Sequence, residues 1–428
     1  MKKPGEKYAS SRRRVVAEPA RKKASDPGVG HFPGKIAAAT ALRCLVTRAG
    51  VLTRPGGKPL SEAMVFGISG GIGAGVFSFH YAKESISTFF VAGRHLWHDD
   101  LAYLKAAAPR FGVSITVVES GGALTAERQL RDALAKTQPV IAWVDRASMP
   151  YSGAPRSLEG GGYHVVTVYR LYDKPGTVLI GDLARNPIEI SQADFWKARA
   201  RIKKQKNRLL HLDRASGKFD LSKAVAQGLR ACRIALLSSK GPRKMPNFTL
   251  EAFRTWGERI HGSKAKDGWE KIFPVGPMLW DGLTHIHDFI EHNGTGGGLC
   301  RPLFAEFCAE ASKALGNARL RRLGKRYADL GRRWSDLANA ALTDSVPLFQ
   351  RARELLARKA GGALGEPPST DQRREIWAQL QDLRHEATRR FPLSAKQAEE
   401  IRADLQRRIL DLYEKEVSAA KEMRKVIG

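Results

Sequence analysis

Between residues 160 and 187 two short apolar runs flank a cluster of turn residues, in GGGYHVVTVYRLYDKPGTVLIGDLARNP. The first run is largely β-branched (Val165, Val166, Val168, Tyr169). The second is Thr177-Val178-Leu179-Ile180, and Asp173-Lys174-Pro175-Gly176 lies between them. This pattern predicts an antiparallel hairpin. A glycine run delivers His164 to the start of the hairpin and Asp182 leaves its end, so the two side chains are expected to meet at one edge. An Asp that accepts from one imidazole nitrogen fixes the tautomer and leaves the other nitrogen as a base. The plainer reading of the same residues is a capped strand histidine beside a turn aspartate.

Elsewhere in the first half, helical and strand patterns alternate. Residues 35–46 have helical spacing after the start signal Pro33-Gly34, and 60–66 begin a second, short helix after a Gly/Pro loop at 50–59. Strands are predicted at 87–91, 114–119 and 140–145, with helices at 97–111 and 123–136 between them. A very basic helix over 194–206 and a short strand at 209–212 close this unit. From 221 onward the pattern is helical, over 221–237, 248–260, 278–292, 299–315, 319–342 and 346–359. A last, antiparallel-looking pair covers 370–390 and 394–426. Apolar residues on one face and Arg/Lys on the other predict a bundle that dimerises or packs on the first domain. The expected organisation is α+β, with a tail at 1–30, a mixed domain at 31–215 and a helical domain at 216–428.

Composition changes this picture mainly through charge. The 428 residues carry a net charge of +29, which attracts phosphates, nucleic acid or anionic headgroups and is equally a habit of Arg-rich composition. Arg12, Arg13, Arg14, Lys22 and Lys23 in the tail, with Lys203 and Lys204 after the basic helix, are the candidate polyanion contacts. The four cysteines (Cys44, Cys232, Cys300, Cys308) form no CxxC pair and fit buried, reduced thiols in a cytoplasm. No apolar run approaches the ~20 residues of a membrane span, and no secretory signal is visible. His285, His287 and His292 cluster without a carboxylate ligand set, so neither a metal nor a cofactor is expected. Residues 67–75, GISGGIGAG, lack the preceding strand of a dinucleotide fold and the Lys-Ser/Thr of a P-loop. Their glycines predict a close backbone approach to a neighbouring helix or a ligand.

The order of a helix that could carry a nucleophile, followed by a sheet bearing His and then Asp, is that of papain-like α+β proteins. Residues 31–213 resemble the N-terminal domain of the butirosin biosynthesis protein H family. The resemblance is carried by GKIAAATALR, LSEAMVFGISGGIGAG, PVIAWVD with the following MPY, GYHVVTVY, and LIGDLARNPIEIS to KARARIKKQKNR. The second half is similar to the helical domain that often follows, through RTWGERI, NGTGGGLCRPLFAEFCAEA and LGRRWSDLANAAL. The resemblance implies a papain-like acyltransferase that moves an acyl group from a carrier-protein thioester to an amine. It also implies a cleft lined by Glu62, Ser69 and Gly70, while Asp145 reads equally as a strand-end cap and as a site residue.

The start of the first helix departs from the family. The family has His-Cys at the start of the first helix, where this chain has Ile36-Ala37. A thiolate there would be activated by the helix dipole and a histidine; a methyl group has neither nucleophilicity nor charge. Cys44 lies two turns on, about 10 Å away at ~1.5 Å per residue, and does not substitute. Ser69 and Ser148 stand at no recognisable strand-to-helix elbow. A pseudoenzyme and a nucleophile-free transfer both remain open, and because two positions differ, a single laboratory replacement does not explain the pattern. The alternative is a non-catalytic basic scaffold for nucleic acid or a protein partner. A cysteine-peptidase-like hydrolase would lack the same nucleophile.

Overall fold

A computed structural model describes residues 30–53, 57–81, 86–215, 218–238, 246–361 and 368–427. The chain opens with α1 (Ala37–Arg48), α2 (Glu62–Ile68), and a hairpin of β1 (Ile72–Tyr81) and β2 (Ile86–Arg94). Then come α3 (Asp100–Ala107), β3 (Val113–Val118), α4 (Ala123–Lys136), β4 (Val140–Asp145), β5 (Tyr163–Tyr172), β6 (Thr177–Gly181), β7 (Ile188–Ser191), α5 (Gln192–Ala200) and β8 (Leu209–Ala215). The remainder is helical: α6 (Leu221–Leu237), α7 (Glu251–Ile260), α8 (Trp269–Ile272), α9 (Pro277–Glu291), α10 (Arg301–Leu315), α11 (Ala318–Ala341), α12 (Pro347–Ala360), α13 (Thr370–Arg389) and α14 (Ala395–Ile427). The fold is α+β, with an antiparallel sheet followed by a helical region.

The main sheet runs β3-β8-β4-β5-β6-β7, antiparallel throughout. Alternation along β5 gives it two apolar faces. Val165 joins a large core that runs from α1 and α2 to α14, while Val166 and Val168 join a smaller one with Leu130 and Leu134 of α4 and Phe195 of α5. The large core is therefore continuous between the sheet region and the C-terminal helices.

The glycine-rich stretch meets helices, as one of its two sequence readings required. A side chain at Gly67 or Gly71 would run into Phe307 or Phe304 of α10, and a methyl at Gly228 of α6 would meet the Gly67 carbonyl. The stretch also forms a strand that its pattern does not predict, because β1 starts inside the glycines and pairs with β2. Two helical expectations are corrected. The basic helix ends at Ala200: Ile202 leaves helical backbone (φ −100°, ψ 89°), and after a single 3-10 turn Lys206 and Asn207 adopt left-handed φ values of 46° and 48°. The last two helices do not pack mainly on each other: α13 lies on α12 and α9, and α14 on α6, α7 and α11.

Candidate functional site

Register between β5 and β6 sets Thr167 opposite Gly181, so the strand ends bring the next residues out at one edge. There His164 Nε2 donates to Asp182 Oδ1 at 2.9 Å, with both side chains 9% exposed. The Leu183 amide also donates to Oδ1 (2.8 Å), and the Tyr151 hydroxyl donates to Oδ2 (2.9 Å). Burial alone would raise the Asp182 carboxyl. The charge and hydrogen bond of His164, the Arg146 charge and the Tyr151 bond outweigh it and hold the carboxyl at about 2. The Tyr151 hydroxyl is driven up by burial and by the Asp182 charge, so it stays a donor. With Nε2 donating to Asp182, the His164 ring nitrogen left for other contacts is Nδ1, which has no protein partner among the described residues.

Two cations border this pair. Arg146 follows β4, and Arg373 comes from α13, held by the carbonyls of Lys359 (2.9 Å) and Pro368 (3.2 Å). Both charges act on Tyr151 and Asp182. The helix reaches the site because Gly153 has no side chain: a Cβ there would stand 2.5 Å from that of Arg373. Sequence reasoning placed neither Arg146, Tyr151 nor Arg373 in the site. Tyr151 lay within the matching MPY tripeptide, whereas nothing local marks Arg373, which arrives from over 200 residues away in sequence.

The start of α1 lies on the other side of the strand. Val165, Thr167 and Gly181 meet Ala37, Thr40 and Ala41 in a crevice with no room for a water, and Asp182 lines it too. Pleating turns His164 toward the Val166 face, so it approaches the α1 side only at the sheet edge, through Asp182. The segment before α1 is strapped to this edge. Gly34 N donates to the Leu183 carbonyl (3.2 Å), and His31 Nε2 donates to the Ala184 carbonyl (2.9 Å). His31 Nδ1 accepts from the Tyr169 hydroxyl (2.9 Å), which leaves that oxygen to receive the Cys44 thiol at 3.4 Å. Cys44 is thus a satisfied core thiol. All four cysteines are buried, and burial pushes each thiol up, Cys300 to about 12.

Glu62 closes the N-terminus of α1, whose own N-cap Ile36 offers no side-chain acceptor. Its Oε1 accepts from the Ile36 amide (2.7 Å), the Lys35 amide (2.8 Å) and the Thr40 hydroxyl (3.0 Å). Burial nonetheless raises the Glu62 carboxyl, against the pull of those donors. Asp145 is a brace rather than a cleft residue. It accepts from Ser148 (2.5 Å) and from the amides of Gly160 (3.0 Å) and Gly162 (2.9 Å), tying β4 to the glycine run before His164. Ser69 and Gly70 are corrected from cleft to core: Ser69 is fully buried, and a Cβ at Gly70 would press on His95 at 2.7 Å.

Lys203 and Lys204 are exposed in a single 3-10 turn. Their neighbours Arg201 and Arg208 pair with Glu159 and Glu119. Arg12, Arg13, Arg14, Lys22 and Lys23 lie outside the described residues. His285 stacks on Phe90 and accepts from the Phe89 amide at 3.3 Å, while burial lowers His287 to about 3. Among the described residues no group of three His, Cys, Asp or Glu could hold a metal, and no helix is long and apolar enough to cross a membrane.

Two family descriptions match the chain in tandem. Residues 43–183 match the butirosin biosynthesis protein H N-terminal domain, and residues 193–361 match a domain of unknown function, DUF4872. No curated protein matches. His164 and Asp182 fall inside the first match, whereas Ile36 and Ala37 precede it. The second opens within α5 and takes in β8, so it supplies the strand between β3 and β4, and α13 and α14 follow it.

Proposed function

Starting from a chain that carries a butirosin biosynthesis protein H N-terminal domain followed by a DUF4872 domain, we propose that it is an acyltransferase-like pseudoenzyme. The His–Asp half of the site persists and the thiol half does not. The observation that supports this most is Ala37 at the start of α1, in a crevice lined by Asp182, with all four thiols buried elsewhere. A cysteine nucleophile acts as its thiolate, which burial in apolar surroundings disfavours. On this reading His164 and Asp182 chiefly tie β5 to the segment after β6. Their residual chemistry is that of a base for an amine or water.

The test is transfer from a small acyl thioester to an amine. The natural chain is expected to give no turnover above background, and I36H/A37C is expected to gain it. Turnover by the natural chain that H164A abolishes would establish nucleophile-free transfer instead. An inert but folded I36H/A37C would remove the acyltransferase scaffold from the account.

A second reading, a basic scaffold for nucleic acid, is favoured by the +29 charge and by Lys203 and Lys204, which have no carboxylate partner among the described residues. It predicts RNA or DNA affinity that falls steeply with salt and falls further in K203E/K204E. Binding unchanged by those substitutions would displace the contact from this turn.

A further inference from the structure

Three helix ends meet at one corner of the helical region. The Ser312 hydroxyl of α10 donates to the Asn317 carbonyl (2.8 Å), so α10 folds directly back into α11. Arg319 Nη1 of α11 donates to the Lys425 carbonyl of α14 (2.9 Å). Two turns further on, Arg326 donates to the Ser418 hydroxyl (3.0 Å) and pairs with Glu422. Residues 313–328 and 417–427, which form this corner, hold nine cations and one carboxylate, Glu422. Arg326 takes that carboxylate. Lys313, Arg319, Arg321, Arg322, Lys325 and Lys421 are all exposed, with no carboxylate partner among the described residues.

Arg-rich composition does not account for this segregation. Elsewhere on the same helices cations stand beside carboxylates: Arg332 and Arg333 pair with Asp329, and Arg407 and Arg408 with Asp404. The corner also works against its own helix. The first turn of α11 has no acidic residue, and cations near a helix N-terminus are opposed by the dipole. Arg319 with Arg322, and Arg321 with Lys325, are like charges at one-turn spacing, which repel. An arrangement that breaks local rules with no compensating contact is expected where a function holds it. Beside the corner, α10 and α11 leave a groove of about 920 Å³, with Arg321 and Lys325 on its near wall and Ala305, Ala309 and Gly324 along its floor. Its carboxylates lie further along. Glu306 pairs with Lys35 and Asp329 with Arg332 and Arg333, and Asp336 is roughly 22 Å from Arg321 along the helix at ~1.5 Å per residue.

We propose that this corner binds the phosphate backbone of a nucleic acid. The inference rests on the second reading above, and it gives that reading a surface separate from Lys203 and Lys204. A linear polyanion supplies, residue after residue, the negative charge that the corner lacks, and releases its counterions on contact. Arginine suits this partner because its planar fork of donors matches phosphate oxygens. The groove admits a strand, whereas the surface of a bilayer cannot follow a concave wall. None of the large apolar side chains exposed among the described residues lies at the corner, so nothing there would insert into lipid. The contact is independent of any acyl transfer.

Fluorescence anisotropy of a labelled oligouridine with the full-length protein, over a series of salt concentrations, tests it. R321Q/R322Q/K325Q is expected to lose at least about tenfold in affinity, and its log–log salt dependence should be shallower by about 2. Its melting temperature should be no lower than that of the natural chain, because the lost cations opposed the helix dipole. K203E/K204E, measured alongside, should lose less. A natural chain that binds no oligouridine would remove the nucleic-acid reading itself. Affinity that the triple variant keeps and K203E/K204E loses would leave that reading standing and overturn this surface. A lowered melting temperature would show that the cations serve the fold, and capture by phosphatidylserine vesicles with no RNA binding would assign the corner to lipid; either result overturns the proposal.

Discussion

Asp182, Asp145 and Glu62 each take backbone amides, but only Asp182 also holds an imidazole. Its carboxyl is lowered in the folded chain to about 2. The ionised form therefore stabilises the fold above the ordinary carboxylate value near ~4, and that contribution is lost as pH falls from there through about 2. The natural chain should lose melting temperature over that window more steeply than D182N, and parallel slopes would refute the assignment. The meeting of His164 and Asp182 was legible in sequence because a four-residue turn between two apolar runs fixes which ends coincide. Tyr151 and Arg373 were not, since their places depend on the route of the 146–162 loop and on the docking of α13. The role of Glu62 was also hidden: a helix cap supplied by the next helix leaves no local signature.

Among elements, α6 comes close to α2, where Gly228 lies against the Gly67 carbonyl and 2.7 Å separates its potential Cβ from the Ile68 Cα. Helix propensity favours Ala over Gly by about 1 kcal/mol in a helix interior. Overpacking against backbone costs about 1–3 kcal/mol, so G228A should lower stability in urea unfolding despite its better propensity. An increase would show that α2 and α6 can separate. The long C-terminal helices were readable from their periodicity. Their partners were not: the amphipathic pattern shows that α14 has an apolar face, but not that α6, α7 and α11 cover it in preference to α13. The β1 strand escaped for a related reason. Its glycines, which remove the alternation signal, are required by close approaches such as that at Gly75, where a Cβ would stand 2.5 Å from the Trp97 indole nitrogen.

For the molecule as a whole, one buried ion pair joins distant parts of the chain. Arg301 Nε donates to Glu416 Oε1 at 2.6 Å with both side chains fully buried; Trp334 donates to the same oxygen (2.8 Å), and Arg301 Nη1 reaches the Gly93 carbonyl of β2 (3.1 Å). The pair links the hairpin to α10, α11 and α14. Removing one partner leaves a buried charge uncompensated, so E416Q and R301M should each cost about 3–5 kcal/mol. R301M/E416L should recover most of that loss, and a fully additive double variant would show that the two groups do not act together. The continuous core makes the same point, since the sheet region and the helices share one apolar interior.

The central claim is that the chain keeps the His164–Asp182 pair and lacks the thiol that would carry an acyl group. Intact-protein mass spectrometry with peptide mapping, after exposure to a small acyl thioester, tests this directly. The account predicts no adduct on the natural chain, whose four thiols are buried, and a single acyl group on the residue-37 peptide of I36H/A37C. A stoichiometric adduct on the natural chain, at any side chain of the His164 edge, would contradict it.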